Sequence, residues 1–215
     1  IAVNTQKSRG FKIDTVHVAV FGFSRGATLA RSFVNRLANQ SKRQGAHWVR
    51  DGARFRIYFV GIFDTVASVG LPRDHNTYAK ELGIPPMVER CVHMVAGHEL
   101  RFAFPLDSVR RDGGYPTNTV EYVYPGVHSD VGGGYAVNEQ GRSNAYARLP
   151  LHMMYREAYM AGVPLNPAER WQPHVQKQFT VSDDLPVAFR AYMTALETSG
   201  ESLEEQAFGH LKLYW

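Results

Sequence analysis

The sequence predicts an α/β fold, a mostly parallel sheet flanked by helices, from three observations. Thr15 to Phe21 (TVHVAVF) and Arg54 to Phe63 (RFRIYFVGIF) are apolar, β-branched runs of the kind that parallel sheets bury on both faces. Each run stops at residues able to do chemistry, the first at Gly22-Phe23-Ser24-Arg25-Gly26 and the second at Asp64. After Gly26 the apolar residues Ala27, Ala30, Phe33, Val34 and Leu37 recur at helical spacing, with Arg31, Asn35 and Arg36 assigned to the opposite face.

A strand that ends in Gly-x-Ser-x-Gly and turns directly into a helix is the nucleophile elbow of an α/β hydrolase. Small residues let strand and helix approach, and the serine is held exposed in a strained turn. The alternative reading of this stretch is that Ser24 merely caps the helix. The elbow reading demands more, because a carboxylate and then a histidine must follow it in that order.

Taken in order, Ile1 to Lys12 lacks a period and reads as a connector or the end of a helix. The elbow strand lies within the first 25 residues, whereas α/β hydrolases build several strands before it. The reading therefore expects those early strands, with one oxyanion donor, upstream of Ile1. Gln40 to Ala53 is polar and is expected to form a surface loop around Trp48. Thr65 to Pro86, with Gly70, Pro72, Gly83, Pro85 and Pro86, reads as an irregular excursion. A helix is predicted from Met87 to about Phe102, with Val88, Cys91, Val92, Val95 and Leu100 on its apolar side. Val120 to Tyr124 is the third strand, running into Pro125-Gly126-Val127-His128-Ser129-Asp130-Val131-Gly132-Gly133-Gly134-Tyr135. Leu149 to Ala161 is predicted helical. Beyond Asn166 the pattern weakens, and Trp171, Phe179, Phe189, Tyr192, Phe208 and Trp215 suit a lid or accessory unit. The expected organisation is a catalytic domain, the later part of a hydrolase, over residues 1–165 and a helical or lid-like segment over 166–215.

Composition bounds the function. A chain of 215 residues with 44% hydrophobic content can bury one sizeable core. The net charge is +4 and the pI near 9.2. The Lys and Arg residues are spread along the sequence rather than concentrated as in nucleic-acid binders, a balance that fits an anionic surface such as lipid headgroups at least as well and that ordinary solubility also explains. Cys91 is the single cysteine and reads as a small core residue, so no intrachain disulfide forms. No run is long enough to span a bilayer, and the N-terminus has no cleavable apolar segment. No cofactor is implied.

A serine becomes an acyl-transfer nucleophile when a histidine takes its proton and a carboxylate orients that histidine. In an α/β sheet these groups meet at the carboxyl ends of the strands. Ser24, Asp64 and His128 each follow a strand, in the required order. Asp64 can also be read as a turn carboxylate. His128 stands apart from the other histidines by lying in a Gly-rich loop directly after a strand, whereas His93, His98 and His152 fall on predicted helices. Two further readings of the loop remain open: His128 and Asp130 as an H-x-D metal pair, and Gly132-Gly133-Gly134 as a phosphate cradle. Asp130 is also an alternative acid, or a residue supporting the base. The backbone N–H of Arg25, next after Ser24, is the expected oxyanion donor.

Together the three motifs, Gly22 to Ala27 (GFSRGA), Phe63 to Gly70 (FDTVASVG) and Pro125 to Tyr135, resemble the signature of bacterial type VI secretion phospholipase effectors of the GxSxG type. The resemblance spans roughly Val16 to Gly162. It implies a phospholipase with Ser24 as nucleophile, Asp64 as acid and His128 as general base. It also implies delivery by a secretion-apparatus carrier into the periplasm of rival bacteria, membrane phospholipid as substrate, and an immunity protein that protects the producer. A soluble esterase or thioesterase with the same triad, and a catalytically silent binding module on the same fold, are the competing expectations.

Overall fold

The computed structural model describes residue 10 and residues 12–67, 81–196 and 202–214. Strand β1 (Thr15–Phe23) leads through Ser24 into helix α1 (Arg25–Asn39), and a hairpin of β2 (Lys42–Gln44) and β3 (His47–Arg50) follows. Next come β4 (Ala53–Phe63), β5 (Cys91–Ala96) and β6 (Thr119–Tyr124). The helices after the sheet are α2 (His128–Gly132), α3 (Arg148–Met160), α4 (Pro173–Phe179), α5 (Asp184–Ala195) and α6 (Leu203–Tyr214).

The six strands form one mixed sheet. β1, β4, β5 and β6 lie side by side in parallel, so Ser24, Asp64 and the residues after Ala96 and Tyr124 emerge at the same edge. β3 runs antiparallel to the opposite, amino-terminal end of β4 through Trp48↔Phe55, Val49↔Arg54 and Arg50↔Ala53. This is an α/β architecture with helices on both faces. Ala27, Ala30, Val34 and Leu37 of α1 pack with Ile57, Val60 and Ile62 on one side. Met154 and Ala158 of α3 pack with Phe59, Met94 and Tyr124 on the other. Ile57, Phe59, Val60 and Ile62 are each 0% exposed, and burial of this completeness contributes about 1.5–3 kcal/mol per side chain.

Four expectations change. The helix predicted from Met87 is replaced by the short strand β5, buried on both faces, so Cys91 and His93 lie on a strand and His98 just beyond it. An unbroken apolar run has no period with which to separate a buried strand from a buried helix. The loop predicted over Gln40 to Ala53 is the β2–β3 hairpin. Asp51 and Gly52 turn β3 into β4 at φ 50° and 72°, the two left-handed residues of a tight two-residue hairpin. Arg31, assigned to the solvent face of α1, is 0% exposed, and Phe33, assigned to the core, is 47% exposed. His128 opens helix α2 rather than sitting in an open loop. The connector reading of Ile1 to Lys12, most of the Thr65 to Pro86 excursion and Trp215 lie outside the described residues in whole or part.

Candidate active site

The turn at Ser24 is built by its neighbours. Ser24 has φ 58° and ψ −124°, a left-handed conformation that a residue with a side chain adopts only when its surroundings impose it. A Cβ on Gly22 would stand 2.4 Å from the carbonyl oxygen of Gly26, so the first motif glycine is what allows β1 and α1 to close up. The second is different. A Cβ on Gly26 would meet nothing within 4 Å. The Ser24 N–H donates to Phe63 O at 3.0 Å, and Ser24 O accepts from Ala27, Thr28 and Val66 N–H at 3.0, 3.2 and 3.3 Å. The elbow is thus bonded to the residue before Asp64 and to the second one after it. Arg25 is the first residue of α1, where a backbone N–H has no partner within the helix.

Asp64 and His128 meet. Asp64 Oδ2 lies 2.6 Å from His128 Nδ1, with both side chains buried. The other carboxylate oxygen, Oδ1, accepts from the Ala96 N–H at 3.0 Å, and the Asp64 N–H donates to Met94 O at 2.7 Å. Asp64 itself has φ 35°, a second left-handed residue at a strand end. The imidazole is held between rings, Phe23 at 4.5 Å and Phe104 at 4.9 Å between centroids. Phe23 is in turn fixed by Gly132, where a Cβ would come within 2.0 Å of its ring.

Asp130 does not reach His128's ring. Its Oδ2 accepts from the Val127 N–H at 3.0 Å, capping α2 and holding the backbone that carries His128. The H-x-D pair therefore does not converge. Among the described residues no group of three or more His, Cys, Asp or Glu side chains could hold a metal.

Several residues that sequence reasoning missed support the site. Glu99 Oε2 accepts from the His128 N–H at 3.1 Å and pairs with Arg101 at 2.6 Å. Burial works to raise the Glu99 pKa, but the Arg101 guanidinium and the amides of Arg101 and His128 outweigh it and hold the carboxyl below its usual range. Behind Asp64, the Thr65 N–H donates to His93 Nε2 at 3.1 Å, so His93 carries its proton on Nδ1 and donates to Glu121 at 2.7 Å. Glu121 also accepts from Ser108 Oγ, the Val109 N–H and Tyr115 OH at 2.7, 2.9 and 3.0 Å. Burial alone would raise the Glu121 pKa, yet His93, the Val109 N–H and Ser108 keep it well below the usual carboxylate range.

Arg31 donates to the carbonyls of Leu82, Asp107 and Ser108 at 2.6, 2.5 and 3.1 Å. Burial lowers its pKa to about 10. Asp107 returns two bonds to the turn after Asp64, donating its N–H to Thr65 O and accepting the Ala67 N–H, both at 2.8 Å. His98 ties the His128 segment to the C-terminal helices. It exchanges bonds with Gly126 through Nδ1 and its own N–H, and Nε2 reaches Tyr192 OH at 3.1 Å and His210 O at 3.2 Å. Glu99 and His98 follow β5 directly, so reading that run as a strand is the signal that places them at the site. The pairing of His93 with Glu121, 28 residues apart, leaves none.

The family described as "T6SS, Phospholipase effector Tle1-like, catalytic domain" matches residues 35–157, a span that holds Asp64 and His128 and begins after Ser24. The fold is similar to the crystal structure of an uncharacterized protein from Pseudomonas aeruginosa, with TM-score 0.86 and 36% identity, covering 99% of this chain and 33% of that one. It is also similar to the Tle1 effector bound to the VgrG spike of the type 6 secretion system, with TM-score 0.63 and 19% identity, covering 93% of this chain and 58% of that one. The chain thus spans about a third of the first structure's length and under two thirds of the second's. No curated protein sequence matches. With more than half of its residues matched, the chain belongs to the Tle1-like catalytic domain family of type VI secretion phospholipase effectors.

Proposed function

We propose that this chain is the later part of an α/β-hydrolase domain that cleaves fatty-acyl esters of membrane phospholipids, a phospholipase A activity, through Ser24, His128 and Asp64. The observation that carries the reading is the buried 2.6 Å contact between His128 Nδ1 and Asp64, taken with the strained turn at Ser24, whose backbone bonds to Phe63 and Val66 on either side of Asp64. With Nδ1 donating to the carboxylate, Nε2 is the unprotonated nitrogen that can take the proton from Ser24 Oγ. The alkoxide attacks the ester carbonyl, and the Arg25 N–H faces the developing oxyanion. Collapse expels the lysolipid, which takes the proton back from His128. Water, activated by the same nitrogen, then frees the fatty acid from Ser24. Asp64 stays ionised throughout and stabilises the imidazolium.

Family membership supports export as a type VI effector. By that likeness we infer passage on a secretion-apparatus carrier, action on phospholipid in the periplasm of target bacteria, and neutralisation by an immunity protein. Residues 166–215 are proposed as an accessory helical segment, joined to the site through His98, Tyr192 and His210.

A fluorophosphonate probe and phospholipid vesicles test the reading on the full-length protein. Labelling at Ser24 with release of fatty acid is expected, both lost in Ser24→Ala. Absence of labelling in the wild type leaves a silent module, and equal turnover of a soluble short-chain ester makes it an esterase.

A further inference from the structure

A cavity of about 630 Å³ opens beside helix α2, between the His128 segment and the N-terminal part of α3 with α4. It adjoins the elbow through two of its lining residues. Phe63 accepts the Ser24 N–H at 3.0 Å, and Gly132 packs on Phe23, the residue before Ser24. Its lining combines apolar Phe63, Val131 and Leu151 with Arg148, His174 and Lys177, and among the described residues no carboxylate lines it. Gly133 adds open space, because a Cβ there would meet nothing within 4 Å. Arg148 gives one N–H to the Thr180 carbonyl, which fixes its guanidinium at the rim. Among the described residues Lys177 and His174 form no ion pair.

We propose that this cavity receives the phosphate-bearing part of the substrate lipid and selects phospholipids over neutral acyl esters. Arg148 and Lys177 supply positive charge to the phosphodiester, His174 supplies a further hydrogen-bond donor, and the apolar residues take the glycerol backbone. Two cations beside a further hydrogen-bond donor, with no acidic residue lining the cavity among the described residues, match a phosphodiester attached to an apolar body. Gly133 fits the same role, since it leaves open space at the lining where a side chain would stand. The inference rests on the acyl-ester reading of Ser24 and assigns the residues that hold the phosphate of its substrate.

The test uses the full-length protein in mixed micelles of excess neutral detergent, which dilutes the surface charge of the anionic lipid. It compares kcat/KM for phosphatidylglycerol with kcat/KM for a neutral ester of the same acyl chain. The expected result is that Lys177→Glu and Arg148→Gln each lower the ratio of the two about tenfold. Lys42→Glu, the same charge reversal on the exposed hairpin at the far end of the sheet, should leave the ratio as in the wild type. Lys177 is exposed, so its replacement does not threaten folding. An unchanged ratio in Lys177→Glu and in the Lys177→Glu, His174→Gln double variant overturns the cavity assignment while leaving the hydrolase standing. A wild type that cleaves neither ester and takes no fluorophosphonate overturns the hydrolase reading and this one with it.

Discussion

Asp64 Oδ2 stands 2.6 Å from His128 Nδ1, and the two residues are 2% and 4% exposed. A pair closed from water in this way is sensitive to which partner carries the proton.

Asp64→Asn is therefore expected to abolish the proposed hydrolysis without unfolding the protein. An amide at this position can donate to Nδ1, which drives the imidazole proton to Nε2 and leaves no base for Ser24. A loss of about 10⁴-fold in kcat is expected, with thermal unfolding close to wild type. Retention of more than a tenth of the activity would remove Asp64 from the site.

The two motif glycines are expected to respond with opposite signs. Gly22→Ala forces a methyl into the Gly26 backbone, where rigid atoms 2.4 Å away cannot yield, and should destabilise by about 3 kcal/mol or more. Gly26 lies in the first turn of α1 with open space where its Cβ would be, so Gly26→Ala should stabilise by up to about 1 kcal/mol. Urea unfolding of both variants decides the matter.

Acid sensitivity should centre on Glu121. Its folded pKa lies below the ordinary value of 4.5, so it contributes stability above that value that is lost as pH falls through the depressed one. Glu121→Gln replaces the charged acceptor of the His93 donor by a neutral amide and should cost about 1.5–3 kcal/mol at pH 7. The gap between variant and wild type should narrow steadily below pH 4.5, followed by urea midpoints at each pH.

A second acid response is expected in the C-terminal helices at milder pH. Burial, with repulsion from His98, lowers the His210 pKa from 6.5 to about 4. Stability from keeping His210 neutral is complete above pH 6.5 and falls away between there and about 4. Hydrogen exchange over residues 203–214 should accelerate across that window. It should stay flat in His210→Asn if His210 is the responsible group.

The elements that could be read in advance are those whose chemistry is local. β1, α1 and β4 declare themselves because an apolar run ends at a residue that stops it, Gly22 in one case and Asp64 in the other. The same logic brings Ser24, Asp64 and His128 to one sheet edge. β5 hides because CVHMVA is buried on both faces, with His93 inside it satisfied by Glu121, and nothing in the run marks polarity against water. The β2–β3 hairpin hides behind its polar surface, although Asp51-Gly52 carries the turn signal. Arg31 reads as a surface residue because only three-dimensional neighbours reveal that carbonyls of Leu82, Asp107 and Ser108 converge on it.

Arg31 gives the site a closed linkage. From Ser24 the path runs along α1 to the guanidinium, across to Asp107, from Asp107 to Thr65 and Ala67, and from Val66 back to the Ser24 carbonyl. Four short joints close the loop, so the turn that follows Asp64 cannot swing outward without dragging the helix that begins at the serine. The spacing of Ser24 and Asp64 is in this sense a property of a frame rather than of two independent loops. A lysine in place of Arg31, with one ammonium for three separated carbonyls, would open that frame at its far corner.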